Sequence, residues 1–309
     1  MTPENRALHA IAILADSSQQ DILTCCHAVS ELADASSTFQ GKQREALRAL
    51  FTVLPHGDRR VSLAAGRAIA QMAPRGDVEV IKEARALLTH EHEHVRLAAL
   101  QALAGAAGVE DADSVEAISS MLQDSSLLVR RGAVVALPGL APKGHPMLLR
   151  FICLHNRHHQ PEVRAAACRA IGKVSEPWDE TALALLRDTL TSDADIGVRT
   201  QALEAIVPLT IALRDKISEE AKTEGTNRAK GVAGVRYAED SKAREQSFAK
   251  NVSAVLSAMQ DSIGSANGAF VKRAFTSMRR MMVSADEGAD MVQVFVIRTQ
   301  CPFDQVSNL

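Results

Sequence analysis

Five nine-residue segments of this chain align without gaps: "VSLAAGRAI" from Val61, "VRLAALQAL" from Val95, "VRRGAVVAL" from Val129, "VRAAACRAI" from Val163 and "VRTQALEAI" from Val198. Their starts are 34, 34, 34 and 35 residues apart. Self-similarity at a fixed period in this range marks a stack of supersecondary units. Within each segment small or apolar residues recur at offsets 0, 4, 7 and 8, for example Val95, Ala99, Ala102 and Leu103, which form one stripe of a 3.6-residue helix. We term this helix B. A second periodic segment precedes each one ("REALRALFTVL", "VEVIKEARALL", "VEAISSMLQ", "PMLLRFICL", "ALALLRDTL") and is termed helix A. Gly and Pro recur where each B segment ends, as in "APRGD" and "LPGLAPKG", and stop one helix before the next begins. So short a hairpin cannot bury its own stripe, so successive hairpins must stack into a shared core.

Composition agrees. Of the 309 residues 46% are hydrophobic but only 3% aromatic, so the core is built from Ala, Leu, Val and Ile, which suits close helix packing. The formal charge of −2 disfavours nucleic acid as a general partner. The five cysteines (Cys25, Cys26, Cys153, Cys168 and Cys301) show no C-x-x-C spacing, and the N-terminal residues have no basic region followed by an apolar run. Both features point to a reducing, intracellular setting, with the cytoplasm as the expected location. No uninterrupted apolar stretch approaches the roughly 18–20 residues of a membrane span, so no membrane association is expected.

The pattern V-R-x-A-A-x-x-A-[IL]-G, clearest in "VRAAACRAIGKV" (163–174), resembles HEAT repeats, particularly the short variety of phycobilisome-lyase-like proteins. Tetratricopeptide repeats share the period of 34, but their aromatic signature is missing, and armadillo repeats are usually longer with a third helix. The resemblance implies an all-α fold, a right-handed α-α superhelix or HEAT-like α-solenoid. The expected organisation is a divergent N-terminal capping repeat at 1–40, five HEAT-like repeats at 41–213, a charged insertion or helix extension at 214–250, a degenerate C-terminal helix pair at 251–284 and a tail at 285–309.

HEAT repeats commonly carry an Asp in the turn between helices A and B, six residues before a basic residue of helix B, and the two link successive repeats. The resemblance places the basic residue at Arg96, Arg130, Arg164 and Arg199, with Ser62 in the first repeat. The turn residues are His56, His90, Asp124, His158 and Asp193. Three turns thus carry His where Asp is usual. A neutral imidazole nitrogen can accept from an Arg or a backbone N–H as a carboxylate oxygen does. A protonated one beside Arg would repel it, which leaves a pH response as an alternative role.

The densest histidine run, "HEHEH" at 90–94, invites a metal reading, which needs three or four ligands converging on one ion. Register assigns His90 to the ladder slot and makes His92 and His94 turn surface. "HNRHH" (His155, His158, His159) lies two repeats away, and Cys25, Cys26 and His27 are adjacent on one helix and point apart. No metal or other cofactor is expected. Deoxyhypusine hydroxylase, a HEAT-type enzyme, holds two irons through paired His-Glu dipeptides on its inner helices. Here both His-Glu pairs fall in one turn, and the helix B positions hold residues such as Leu63-Ala64 and Ala165-Ala166, so that di-iron activity is judged absent. No G-x-S-x-G, P-loop or H-E-x-x-H motif occurs, and no catalytic residue is assigned.

The expected function is therefore that of a non-catalytic scaffold binding a protein or peptide along the groove lined by the B helices, with Arg67, Gln101, Arg169 and Glu204 as groove contacts. The alternative is a phycobilin-lyase-like or chaperone-like accessory factor that holds a cofactor or client. Near the C-terminus, Lys272, Arg273, Arg279 and Arg280 with Phe275, Met278, Met281 and Met282 also fit a basic amphipathic partner helix, although a capping helix is the favoured reading.

Overall fold

The computed structural model describes residues 3–16, 21–34, 42–108, 111–229, 235–262 and 268–281. All regular structure among them is helical, with no strand. The expected tail at 285–309, Cys301 and most of the loop at 36–42 lie outside the described residues. By internal contacts the chain divides between His155 and Asn156, and the two units are described separately.

The first unit contains α1 (Pro3–Ala15), α2 (Ile22–Asp34), α3 (Gln43–Val53), α4 (Arg59–Met72), α5 (Val78–Leu87), α6 (Glu93–Ala106), α7 (Ala112–Ser120), α8 (Leu127–Ala136) and α9 (Pro146–His155). Two-layer stacking follows from the contacts. Hairpin partners pack as α1 on α2, α3 on α4, α5 on α6 and α7 on α8. Each B helix also packs on the next, α2 on α4, α4 on α6 and α6 on α8, while α1 meets α3, α5 meets α7 and α7 meets α9 in the A layer. The stripe residues Val61, Ala65, Ile69, Val95, Ala99, Leu103, Val129 and Ala133 are fully buried at this seam, where their apolar area is removed from water.

Caps start these helices where the sequence changes from turn to stripe. Asp58 accepts from Arg60 N–H, Asp77 from Glu79 and Val80 N–H, and Asp111 from Ser114 N–H, each satisfying N–H groups that a helix leaves unbonded. The turns before α5 and α9 need a left-handed residue, supplied by Gly76 (φ 83°) and Gly144 (φ 73°), a conformation that costs glycine no Cβ clash. Gly76 N–H then donates to Ala106 O at 2.7 Å. Arg75 Nη1 donates to Ala107 O at 3.1 Å and Gly139 O at 3.3 Å, so one side chain spans the ends of successive hairpins.

The second unit contains α10 (Pro161–Val174), α11 (Glu180–Ser192), α12 (Ile196–Ala229), α13 (Val235–Ser262) and α14 (Gly268–Met281). Here α10, α12 and α14 pack in sequence as the B layer, and α11 meets α13 in the A layer. Helix α12 continues past Pro208, which lacks an N–H to give to Glu204 O yet does not end the helix, and runs on into the charged stretch after 213. Part of α12, Ile196–Ile217, is long and apolar enough on average to cross a membrane by length and composition, although Arg199, Gln201 and Glu204 interrupt it; half of it is buried. Its apolar residues Val198, Ala202, Ile206 and Leu213 are buried because α12 has neighbours on several sides: α10, α11, α13 and α14. In α14, Phe270 and Ala274 at stripe offsets 0 and 4 are buried. Of the proposed amphipathic set in α14, the side chains of Arg279, Phe275, Met278 and Met281 are not described, and Met282 lies beyond the described residues.

Candidate functional site

Each turn between helices A and B is closed in the same way. His56 Nδ1 accepts from Asp58 N–H at 2.9 Å, His90 Nδ1 from His92 N–H at 3.1 Å, and His158 Nδ1 from Gln160 N–H at 3.2 Å. Asp124 Oδ1 accepts from Ser126 N–H at 2.8 Å and Asp193 Oδ1 from Asp195 N–H at 2.9 Å. Imidazole and carboxylate are thus interchangeable for this bond. They differ in what remains: the histidine has used the lone pair of Nδ1, whereas the carboxylate keeps a second oxygen and a negative charge.

Both oxygens make the link between repeats: Oδ2 accepts from the arginine Nε, and Oδ1, which already holds the backbone bond, accepts from Nη2. Arg96 donates to Asp124 through Nε (2.7 Å) and Nη2 (2.8 Å), and Arg164 does the same to Asp193 (2.7 and 2.9 Å), both in the two-pronged geometry that suits a planar guanidinium. The remaining Nη1 holds the arginine's own turn. Arg96 donates to the carbonyls of His90 and Glu91, both at 2.9 Å, and Arg130 to those of Asp124 and Ser125 at 2.7 and 2.9 Å. Arg164 donates to those of His158 and His159 at 2.9 and 3.0 Å. Ser62, in the arginine position of the first repeat, donates its hydroxyl to His56 O at 2.9 Å. Arg199 instead lies over the Phe270 ring, 5.5 Å from its centre. Burial raises the Asp193 carboxyl, but the bonds from Arg164 and Asp195 N–H outweigh it and hold the group below the usual carboxylate range. The paired aspartates hold Arg96 and Arg164 still more firmly protonated.

Because His90 and an aspartate satisfy the turn alike, His90→Asp should melt within about 0.5 kcal/mol of the parent, and His90→Ala should lose about 1 kcal/mol, the usual net worth of one such hydrogen bond. Thermal denaturation of both variants at pH 8 decides this; equal losses would deny the turn bond its role.

The "HEHEH" run now divides in space. His92 is the residue before α6, and His94, expected on the turn surface, lies in the first turn of α6 with Nε2 3.2 Å from His56 O in the preceding turn. The rings of His92 and His94 stack at 5.4 Å and 9°. An open polar cleft of about 420 Å³ follows, lined by Glu91, His92, Glu93, His94, Arg96, Ser125 and Ser126. Ser126 Oγ donates to Glu93 Oε2 across it at 2.5 Å. Among the described residues no three His, Cys, Asp or Glu side chains converge on a common point for a metal ion.

The face of the B layer turned away from the A layer carries offsets 2 and 6, opposite the buried stripe. In the first unit these are Leu63, Arg67, Leu97, Gln101, Arg131 and Val135, with Arg67 and Arg131 exposed and Val135 68% exposed. Gln101 is half-buried, and its Oε1 is buried without a hydrogen-bond partner. In the second unit the corresponding residues are bonded to each other. Arg169 donates to Gln201 (3.1 Å), Gln201 to Glu204 (3.1 Å), and Arg273 of α14 to Glu204 (2.9 Å). Of the four expected groove contacts, Arg67 is exposed and Gln101 half-buried on one unit, while Arg169 and the exposed Glu204 are bonded into a polar chain on the other.

Hairpins stacked in two layers and tied by arginine–aspartate rungs agree with the comparison against family models, which matches residues 115–207 to HEAT repeats. This stretch is a HEAT-repeat array. Among solved structures, yeast importin-beta Kap95p, in a structure with RanGDP, aligns over 96% of this chain and 43% of its own, at 17% identity and a TM-score of 0.55. The chain thus spans less than half of that protein. The HEAT-like repeats protein from Thermococcus onnurineus NA1 (15% identity, 75% of this chain and 98% of that one, TM-score 0.38) and the CpcE–CpcF complex of phycocyanin lyase from Nostoc sp. PCC7120 (17%, 91% and 95%, 0.40) are also similar. At 17% identity the likeness to Kap95p is one of fold alone. No curated protein matches the sequence.

The HEAT array also contains polar contacts that periodicity did not show. Gln123 Nε2 meets His155 Nδ1 at 2.7 Å, and buried Asn156 donates to Thr189 Oγ1 at 2.8 Å while Cys168 Sγ donates to Asn156 Oδ1 at 3.3 Å. These side chains sit at offsets that read as core or turn, so only their three-dimensional pairing reveals them. Burial pushes the Cys168 thiol up to about 12, which leaves it without a reactive thiolate at neutral pH.

Proposed function

We propose that the chain is a non-catalytic HEAT scaffold that binds a protein or peptide on the outer face of its B helices. The observation that carries this reading is the row Arg67, Gln101, Arg131 and Val135, exposed or half-buried on adjacent helices whose opposite sides are fully committed to the core. A rigid stack offering side chains at regular helix spacing suits an extended ligand better than a small enclosed one. Kap95p, which shares the fold and is seen with RanGDP, supports a protein partner in general terms. Glu204 and Arg169 contribute less, since their polar groups are already engaged within the chain.

The test places a photo-crosslinking amino acid at Gln101 in one variant and at Glu116, on the A layer, in another. Partner adducts are expected at 101 and not at 116, identified by mass spectrometry after capture from cells. Equal labelling at both positions would remove the assignment to the B face.

A further inference from the structure

Charge is not shared evenly between the two layers of the first unit. The A helices α3, α5 and α7 are nearly balanced, with Glu45, Glu79, Glu83, Asp113 and Glu116 against Arg44, Arg48, Lys82 and Arg85, and two ion pairs join neighbouring A helices, Arg44 with Glu79 and Arg85 with Asp113. The B helices α4, α6 and α8 carry Arg59, Arg60, Arg67, Arg96, Arg130 and Arg131, and Glu93 is their one acidic residue. Glu93 stands at the helix start, bonded by Ser126. On α2, the next B helix, Glu31 lies 3.9 Å from His27. Arg96 and Arg130 are consumed by the turns, and Arg60 is paired with Asp58. Arg59 at the start of α4 and Arg67 and Arg131 on the outer face are exposed, and among the described residues none of the three has an acidic partner.

From this we infer that the outer B face of the first unit recognises an extended acidic peptide, a conclusion that rests on the scaffold reading and specifies its ligand. Arg67 on α4 and Arg131 on α8 are two helix spacings apart, roughly 20 Å for packed helices. An extended chain covers that distance in about six residues. The floor between them is apolar (Leu63, Leu97 and Val135), with Gln101 half-buried at its centre. The favoured ligand therefore carries two carboxylates about five or six residues apart, separated by small or apolar side chains. Arg67 and Arg131, with Arg59 at the helix start, are too few for a phosphate backbone to be the natural ligand, whereas Arg67 and Arg131 match two carboxylates.

The experiment uses the full chain and fluorescein-labelled decapeptides in which two Glu residues are separated by two to seven Ala or Ser residues, with matched Lys versions and a single-stranded RNA decamer as further probes. Fluorescence anisotropy is expected to show binding of the Glu series, strongest at separations of four or five, with the Lys series at least about tenfold weaker. Binding of the Glu peptides should weaken with salt and fall about tenfold in Arg67→Glu/Arg131→Glu, with circular dichroism unchanged. Lys peptides bound as well as Glu peptides, unaltered binding by the double variant, stronger binding of RNA, or no binding of any Glu peptide would each overturn the inference. Lys-peptide binding that is lost in Val135→Asp would leave the scaffold reading standing while removing its acidic ligand. If crosslinking at Gln101 had already failed, the scaffold reading itself would fall.

Discussion

Gly66→Ala is expected to destabilise the protein by about 1–3 kcal/mol, although alanine is normally favoured over glycine in a helix by about 1 kcal/mol. A Cβ at position 66 would stand 2.5 Å from Ala98 O and 2.8 Å from Ala98 Cα, both backbone atoms of α6 that no rotamer change can move aside. The same α4–α6 crossing is equally close further along, since a Cβ on Gly105 would meet Ala70 Cα at 2.4 Å. Glycine therefore sets how near α4 and α6 come, and a methyl group must push the two repeats apart. Gly132→Ala is the matched control: its first contact is Leu97 Cδ1 at 2.4 Å, the end of a flexible side chain, so its cost should stay near zero. Urea unfolding followed by circular dichroism separates the two, and a Gly66→Ala protein as stable as the parent would contradict the close approach.

Arg164→Ala should cost about 3 kcal/mol, because it leaves Asp193 a largely buried carboxylate without its two-pronged partner. The side chains of the pair are 17% and 9% exposed, unlike Arg44 and Glu79 at 65% and 61%, where Arg44→Ala should change little. Replacing both partners, Arg164→Met with Asp193→Leu, should cost less than the single change, since no charge is then stranded. The pH dependence has a definite sign. Asp193 has a folded pKa below its unfolded value, so its contribution is fully present above the ordinary carboxylate range. It is lost as pH falls through the folded pKa, in the region below about pH 4. In Asp193→Asn that loss should be absent, so the difference in unfolding midpoint between variant and parent should shrink as the solution is acidified from pH 6 to pH 3. A difference that stays constant over this range would show that the carboxylate is not held by Arg164.

The ladder shows how far residue types can be read. Subtracting six from each basic position found all five turn residues, and all five make the same bond to the backbone two residues on. Sequence left open whether histidine would accept from arginine or from the backbone. Geometry decided for the backbone at His56, His90 and His158, and that choice explains why the rungs Arg96–Asp124 and Arg164–Asp193 end on aspartate: only a carboxylate has an acceptor left. His94 was read as surface because a turn's side-chain directions are not fixed by spacing, yet helix α6 begins one residue before it and aims its ring at His56 O. Arg169 and Glu204 show the same limit. Offset 6 placed them on the outer face, but their partners Gln201 and Arg273 come from neighbouring helices, and Arg273 is 69 residues along the chain from Glu204.

The sequence by itself determined the hairpin unit, its period and its buried stripe, because these depend on contacts within about one repeat and on the 3.6-residue pitch of a helix. Only the tertiary structure decided which polar side chains are occupied and which are left outward. Hydrogen bonds of that kind join helices that are distant in sequence, and their geometry depends on how closely glycine and alanine let those helices approach. Arg67 and Arg131 look like any other arginines in the chain until stacking pairs Arg96 and Arg164 and leaves these two facing out.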